Sequence, residues 1–214
     1  MSTSDAPTLY AGVDVGEGLI HASLVRVHGG RCSFASRYSG DPGGLAEFCS
    51  GARRVGVDAP GGLSAGAHLA DLSVAPKFRR GRCSEVPVPG VPAVPWVTPA
   101  SWAEAPGWMR TGFAVWTLLH GAGLEAVETF PAAFFHRINC GRWPPPKTSA
   151  GGRAARLSLL AGLVDLPDAC QAWGHDDIDA VACAAVAALG APAHHVCDRP
   201  DGSVMWLLPA GVTR

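Results

Sequence analysis

Charge is scarce in this chain, and neither sign dominates. Charged residues make up 16% of 214, and 17 basic against 18 acidic side chains leave a formal net charge of −1. No global basic field therefore announces a polyanion partner, which leaves only a local basic patch for such a role. Hydrophobic residues reach 48%, so the shortage of charge marks a compact globular protein and excludes a disordered one. Long apolar runs are also missing. The longest are Ala-rich and broken by Gly or Pro, too short to span a bilayer. Residues 1–9, MSTSDAPTL, have neither the basic start nor the apolar middle of a secretory signal. The expected setting is the cytoplasm, with no membrane partner. The seven cysteines (positions 32, 49, 83, 140, 170, 183 and 197) are never spaced as CxxC. That spacing excludes a zinc ribbon and a disulfide framework, and several of them read as small buried hydrophobes. There is no P-loop GxxxxGK[ST], no internal repeat and no linker that divides two large domains.

What is present is ordered. Residues 10–16, YAGVDVG, read as a buried strand ending in a Gly-marked turn. LIHASLVRVHGG places apolar residues at Ile20, Ala22, Leu24 and either Val25 or Val27, and RCSFASRYSG alternates again. Three such strands with Gly connections predict an antiparallel meander. DPGGLAEFCSG has an Asp start, an early Pro and a Gly stop, the marks of a short helix. RRVGVDAPGGL returns to a strand through Val55, Val57 and Asp58, halted by Pro60. From 74 to 106 the pattern breaks: a basic KFRRGR precedes six prolines between Pro87 and Pro106. This predicts a long surface loop and not a packed element. WMRTGFAVWTLLHGAG predicts an amphipathic helix with Met109, Phe113, Trp116 and Leu119 inward. EAVETFPAA reads as a strand, GRWPPPKTSAGGR as a second basic loop, AARLSLLAGL and HDDIDAVACAAVAAL as helices, and SVMWLLPAG as a strand-like tail.

The expected organisation is a flexible N-terminus over 1–9 and one α/β domain over 10–214, with a Pro-rich insertion at about 74–106. Three antiparallel strands, a crossover helix and a further strand are the order of an RNase H-like fold. The sheet expected is mixed and five-stranded, with a three-strand antiparallel meander and flanking helices. Fold order by itself assigns no activity.

Acids interrupt the apolar segments at particular places. Asp14 stands near the end of the first strand, where a buried carboxylate is costly unless paired, hydrogen-bonded or bound to a cation. Asp58 repeats that setting in VGVDAP. Either alone also fits a cap on a strand-end turn, but two GVD strand ends in one small domain fit that less easily. In HDDIDAVACAAVAAL, Asp176 or Asp177 suits an N-cap, and acids in a first turn complement the helix dipole. Asp179 is different. It shares a helix face with Ala182, Cys183 and Val186, the stripe expected to pack on the sheet, and Asp176 falls on that same face. Asp14, Asp58, Asp176 and Asp179 thus form a candidate catalytic and metal-binding group of hard oxygens, suited to Mg²⁺ or Mn²⁺ and not to zinc. Glu128, in VETFPAA, is a fifth candidate ligand, or else the partner of an arginine.

YAGVDVG, VGVDAPGGL, RCSE, VETFPAA, PPPKTSAGGRAARLSLL and HDDIDAVACAAVAAL follow one another in that order. In this series the chain resembles, from residue 10 to about 209, a bacterial and archaeal family of uncharacterised proteins described as predicted RNase H-like nucleases. The D-x-x-D-A of residues 176–180 also looks like the last helix of Holliday-junction resolvases in the same superfold. The resemblance implies phosphodiester hydrolysis by metal-activated water, with Asp14 and Asp58 as strand acids and Asp176 and Asp179 as helix acids. Ribonuclease H proper carries a glutamate on its first helix. Here Glu47 is the residue available in that segment, and nothing in the sequence enlists it.

Arg82 and Glu85 in RCSE, with Lys147, Arg153 and Arg156, lie in the loop-rich regions beside these acids and are candidate substrate contacts. Trp96, Trp102 or Trp143 would stack bases. The plainer alternatives are a structural Arg82–Glu85 ion pair and an exposed helix face carrying Arg153 and Arg156. His175 is a candidate proton carrier, or simply a turn residue. The expected partner is nucleic acid, with DNA or RNA left open, and a homodimer is compatible with the reading. Two rival readings stand beside the nuclease. One is a sugar-kinase or actin-like phosphotransferase, whose D-x-G turn GVDVGEG resembles, although the expected Ser/Thr and the residues for a second domain are missing. The other is an RNase H-like scaffold that binds nucleic acid or protein without catalysis, which low basicity and the Pro-rich insertion would suit.

Overall fold

Alternating burial along TLYAGVDV and IHASLVRVH drives the first hairpin. Strand β1 (Thr8–Val15) pairs antiparallel with β2 (Ile20–His28), and β2 with β3 (Arg31–Gly40). The turn between β1 and β2 closes through Gly16 N–H to Leu19 O, with Gly18 at φ 73°, a conformation that favours glycine. GVDVGEG is therefore a β-hairpin turn. The computed structural model describes residues 6–87, 89–193 and 201–209. β1 starts at Thr8, so Thr8 and Leu9 belong to the sheet and not to the expected flexible N-terminus.

After the short helix α1 (Leu45–Phe48), β4 (Ala52–Asp58) pairs parallel with β1 on the side away from β2. Helix α2 (Gly107–Gly121) leads to β5 (Ala126–Thr129), which pairs parallel with β4. Four further segments are α3 (Pro131–Ile138), α4 (Ala150–Leu160), β6 (Val164–Asp165) and α5 (His175–Leu189). β7 (Ala191–Ala193) and β8 (Met205–Leu207) close the chain. The sheet order is β6-β3-β2-β1-β4-β5-β8-β7. Its β3-β2-β1-β4-β5 centre is the expected RNase H-like arrangement, and the fold is of that class. Among the described residues the sheet has eight strands and not five, because β6, β7 and β8 extend both edges. β6 and β7 are only two and three residues long, too short to leave a period in the sequence.

One sheet face packs Ala11, Val13, Val55 and Val57 against Val115, Trp116 and Leu119 of α2. Met109, Phe113, Trp116 and Leu119 are all buried, as the helical period predicts. The other face receives α5, whose Ala180–Ala187 run is wholly buried. A Cβ at Gly12 would lie 2.1 Å from both Ala180 O and Ala184 N, and one at Gly56 would lie 2.4 Å from Cys183 O. These two glycines let the helix backbone rest directly on β1 and β4.

Two expectations change. PAA does not extend the strand: Pro131 opens α3 at its first position, where a fixed φ and a missing N–H cost nothing. The segment from 74 to 106 is also packed. Val74, Phe78, Val86 and Val94 are buried against Phe130, Ala133, Met205 and Leu207. Two of its cations serve the segment itself. Lys77 Nζ donates to Val94 O and Pro95 O at 3.2 Å, and Arg79 Nε to Val74 O at 2.9 Å. Widely spaced apolar anchors hold an irregular backbone there, which periodicity cannot reveal. Among the described residues no helix is long and apolar enough to cross a membrane.

Candidate active site

Asp14 and Asp58 are direct partners in the parallel β1–β4 ladder. Strand alternation puts them on the face of Gly12 and Gly56, beneath α5. Asp14 is buried, the two side chains hydrogen-bond, and Asp58 Oδ1 is buried with no hydrogen-bond partner. Burial, then Asp58 and Asp179, push the Asp14 carboxyl well above the carboxylate range. Burial and then Asp179 push Asp58 up to about 8, against the relief given by Lys147. Two adjacent carboxylates that resist ionisation together are a site short of positive charge.

Helix α5 brings the remaining acids. Its N-cap is Gly174 and not Asp176 or Asp177. Asp177, at the third helical position, accepts from Gly174 N–H at 3.0 Å. It is buried, and it also meets His21 Nδ1 at 3.0 Å and Arg37 Nη1 at 2.9 Å. The hydrogen bonds from His21 and Gly174, with Arg37 beside them, hold its carboxyl below the usual range although burial opposes this. Asp179 is only 2% exposed and lies on the packing face, as the helical spacing predicts. It accepts from Lys147 Nζ at 2.6 Å and from Arg156 Nη1 at 3.4 Å. Burial works against the Lys147 charge, but Asp179, Asp14 and Asp58 outweigh it and raise its pKa. Asp176 is half-buried, with Oδ1 2.6 Å from His175 Nδ1.

Asp14, Asp58, Asp176 and Lys147 open on one cavity of about 540 Å³, walled by His21, Trp96 and Trp108. Trp96 stands edge-on to Trp108 at 5.3 Å between centroids. Of the tryptophans read from the sequence as stacking residues, Trp96 lines the cavity. Trp102 instead packs on Phe113 and Trp143 on His136. Trp108 and His21 were not legible as site residues. His21 pairs with Asp14 across the β1–β2 ladder, so only the strand register reveals it.

Glu128, Arg82 and Glu85 lie elsewhere. Glu128 pairs with Val57 in the β4–β5 ladder, which puts it on the α2 face of the sheet, opposite to Asp58. There Arg82 Nη2 donates to both its carboxylate oxygens at 2.5 Å, and Gly61 N–H adds a bond at 3.2 Å. Glu128 is thus the partner of an arginine and not part of the acid group. Glu85 is buried, meeting Arg82 Nε at 3.4 Å and accepting from the backbone and hydroxyl of Thr98. Arg156 is buried on Asp179 and over the Phe135 ring. Arg82, Glu85 and Arg156 are therefore buried and ion-paired inside the fold. Arg153 donates to Thr148 O at 3.1 Å and borders a shallow cleft with His175 and Asp176.

The donor set at the β1–β4 strand ends fits a hard divalent cation: carboxylate oxygens, one orphaned and buried, with ionisation suppressed first by burial and then by neighbouring acids. The acids are not drawn into one tight cage, however. Among the described residues, the trio whose ligand atoms all lie within 4.8 Å of one another is His68, Cys83 and Asp201, at a different place. At the acid group, the Lys147 ammonium supplies the compensating charge.

An RNase H-like sheet with carboxylates at the adjoining ends of β1 and β4 and on the helix above them defines the class of the molecule. Within that class, the chain belongs to the family described as protein of unknown function (DUF429), whose model matches residues 12–197. This bears out the resemblance carried by the motifs. No curated protein matches the chain. Among solved structures, Thermus thermophilus RuvC is similar at 12% identity and a TM-score of 0.46, over 83% of this chain and 92% of that one. T. thermophilus RuvC in complex with a Holliday junction substrate gives 10% identity and a TM-score of 0.44, over 83% and 90%.

Proposed function

We propose that the protein is a divalent-metal-dependent nuclease acting at the cavity between β1, β4 and α5. The observation that carries this reading is the pair Asp14–Asp58: a buried and a half-buried carboxylate side by side, the second with a buried oxygen that no protein group satisfies. Asp14 and Asp58 would hold Mg²⁺ or Mn²⁺, with Asp176 and Asp179 as the helix acids beside them. When bound, such an ion supplies Lewis acidity at a phosphodiester oxygen and lowers the pKa of water. Trp96 and Trp108 on the cavity wall offer aromatic surface on which bases stack. Lys147, once an ion replaces it on Asp179, is a cation free to meet a phosphate. His21, oriented through Nδ1 by Asp177, presents its other ring nitrogen as a proton carrier at the cavity wall.

Cleavage assays on single-stranded, duplex and branched DNA and RNA, with Mg²⁺ or Mn²⁺, test this reading. Asp14→Asn and Asp179→Asn are the controls, and cleavage that both variants retain would sink the assignment.

The Lys147–Asp179 pair favours a second reading. An ammonium that permanently occupies the acid group would leave an RNase H-like scaffold that binds nucleic acid or protein without cutting. Nucleic-acid binding that is unchanged by a chelator, together with no cleavage, distinguishes it. For the phosphotransferase reading, GVDVGEG forms a two-strand hairpin and the chain forms one continuous sheet. No observation supports it.

A further inference from the structure

A second cluster lies away from the carboxylates, where the irregular segment after β4 meets the residues leading into β8. His68 is wholly buried, with Nε2 3.1 Å from Cys83 Sγ and Nδ1 without a partner. Asp201 receives the Cys83 backbone N–H on Oδ2 at 3.1 Å and a hydrogen bond from the Cys83 thiol. Ser203 fixes the other oxygen, donating to Oδ1 through its N–H at 2.9 Å and its hydroxyl at 2.7 Å. One ligand atom from each of His68, Cys83 and Asp201 lies within 4.8 Å of the other two. Zinc bonds of about 2.0–2.3 Å bridge such a set with small side-chain adjustments.

We propose that His68, Cys83 and Asp201 bind Zn²⁺, and that the ion clamps the Pro-rich insertion to the β8 edge of the sheet. Thiolate, imidazole and carboxylate together form a borderline-soft set that suits zinc and not Mg²⁺. The two ends of the clamp are far apart in sequence, so neither a CxxC nor an HxxxH spacing announces it. Binding takes the proton from the Cys83 thiol and releases it to solvent, while His68 coordinates as neutral imidazole and Asp201 as carboxylate. Ser203 already orients the aspartate, in the manner of groups that surround known metal ligands. Three protein ligands leave a fourth position. Asp201 and Ser203 also line a cavity of about 410 Å³ bordered by Arg82 and Glu128, from which water would fill it.

With an ion bound through the His68 nitrogen that faces Cys83, the cluster fixes the long irregular segment that carries Arg82 and Trp96. The proposal does not depend on nuclease activity, because hard carboxylates form one site and a thiolate anchors the other.

Titration of the purified full chain with Co²⁺, followed by Zn²⁺, tests it. A thiolate-to-Co²⁺ charge-transfer band should saturate at one equivalent and vanish when Zn²⁺ is added. It should persist in Asp14→Asn and be lost in Cys83→Ser and His68→Gln. Cys183, buried near Asp58 and Asp14, is the competing thiol, and the Cys83→Ser variant separates the two. A band that survives Cys83→Ser overturns the proposal. So does a native chain with no thiolate band, a result that requires no variant to fold. Zn²⁺ should also raise the melting temperature of the native chain, and the absence of any rise would contradict the clamp.

Discussion

Asp14 and Asp58 face each other across the parallel β1–β4 ladder, hydrogen-bonded beneath α5, with Asp14 buried and Asp58 half-buried. Burial, then Asp179, raises the Asp58 carboxyl, against the relief given by Lys147 and Asp14. An unfolded Asp titrates near about 3.9, whereas Asp58 in the fold titrates at about 8. Between these values the folded chain keeps a proton that the unfolded chain has lost, so stability decreases as pH rises. The contribution is complete below about pH 4 and gone above about pH 8. In chelator, the melting temperature should fall across that window, less steeply in Asp58→Asn, and Mg²⁺ should restore it at the alkaline end. Equal slopes in the native chain and the variant would remove Asp58 as the cause.

Lys147 competes with any cation for Asp179. Lys147→Met should bind Mg²⁺ more tightly than the native chain by calorimetry. It should also lose about 1 kcal/mol of stability in chelator, a modest figure because the lysine is partly exposed. Unchanged or weaker Mg²⁺ binding would show that the ammonium does not occupy the ion's place.

Gly12 is where β1 and α5 touch. Gly12→Ala drives a methyl group into the backbone at Ala180 and Ala184. Lifting the helix should cost about 3 kcal/mol in denaturant unfolding. It should also lower activity, because Asp176 and Asp179 ride on that helix. The same substitution at Gly121, where an added Cβ meets nothing, should leave both unchanged.

Arg82 neutralises Glu128 and Glu85 on the opposite sheet face. Arg82→Met strands two buried carboxylates and should destabilise the fold by about 3–5 kcal/mol. The metal dependence of any cleavage by the folded fraction should remain that of the native chain. A changed metal requirement would return Glu128 to the acid group.

The sequence made the β1–β4 acids legible because each ends an apolar strand with the same GVD, and a buried charge there has no cheap explanation. Asp179 was legible for a related reason: helical spacing assigns it to the packing stripe. Asp177 was not. As a first-turn acid it looked fully accounted for by the helix dipole, yet it anchors His21 and Arg37 from two other strands. Lys147 and Arg156 were candidate substrate contacts because a basic loop beside acids looks outward-facing in one dimension. Their closure onto Asp179 is a matter of three-dimensional packing. The same limit hid β6 and β7, whose pairing depends on partners distant in sequence, and it hid the anchoring of the Pro-rich insertion, whereas the strand-like tail SVMWLLPAG did contain β8.

The most direct measurement is cleavage of labelled single-stranded, duplex and branched DNA and RNA by the native chain, in Mg²⁺ or Mn²⁺ and in chelator, beside Asp14→Asn and Asp58→Asn. The account predicts cleavage that requires the metal and falls about 10³-fold or more in each variant, the loss expected when several kcal/mol of metal-borne stabilisation disappears. A folded native chain that cuts none of these substrates, or variants that cut as well as the native chain, would contradict it.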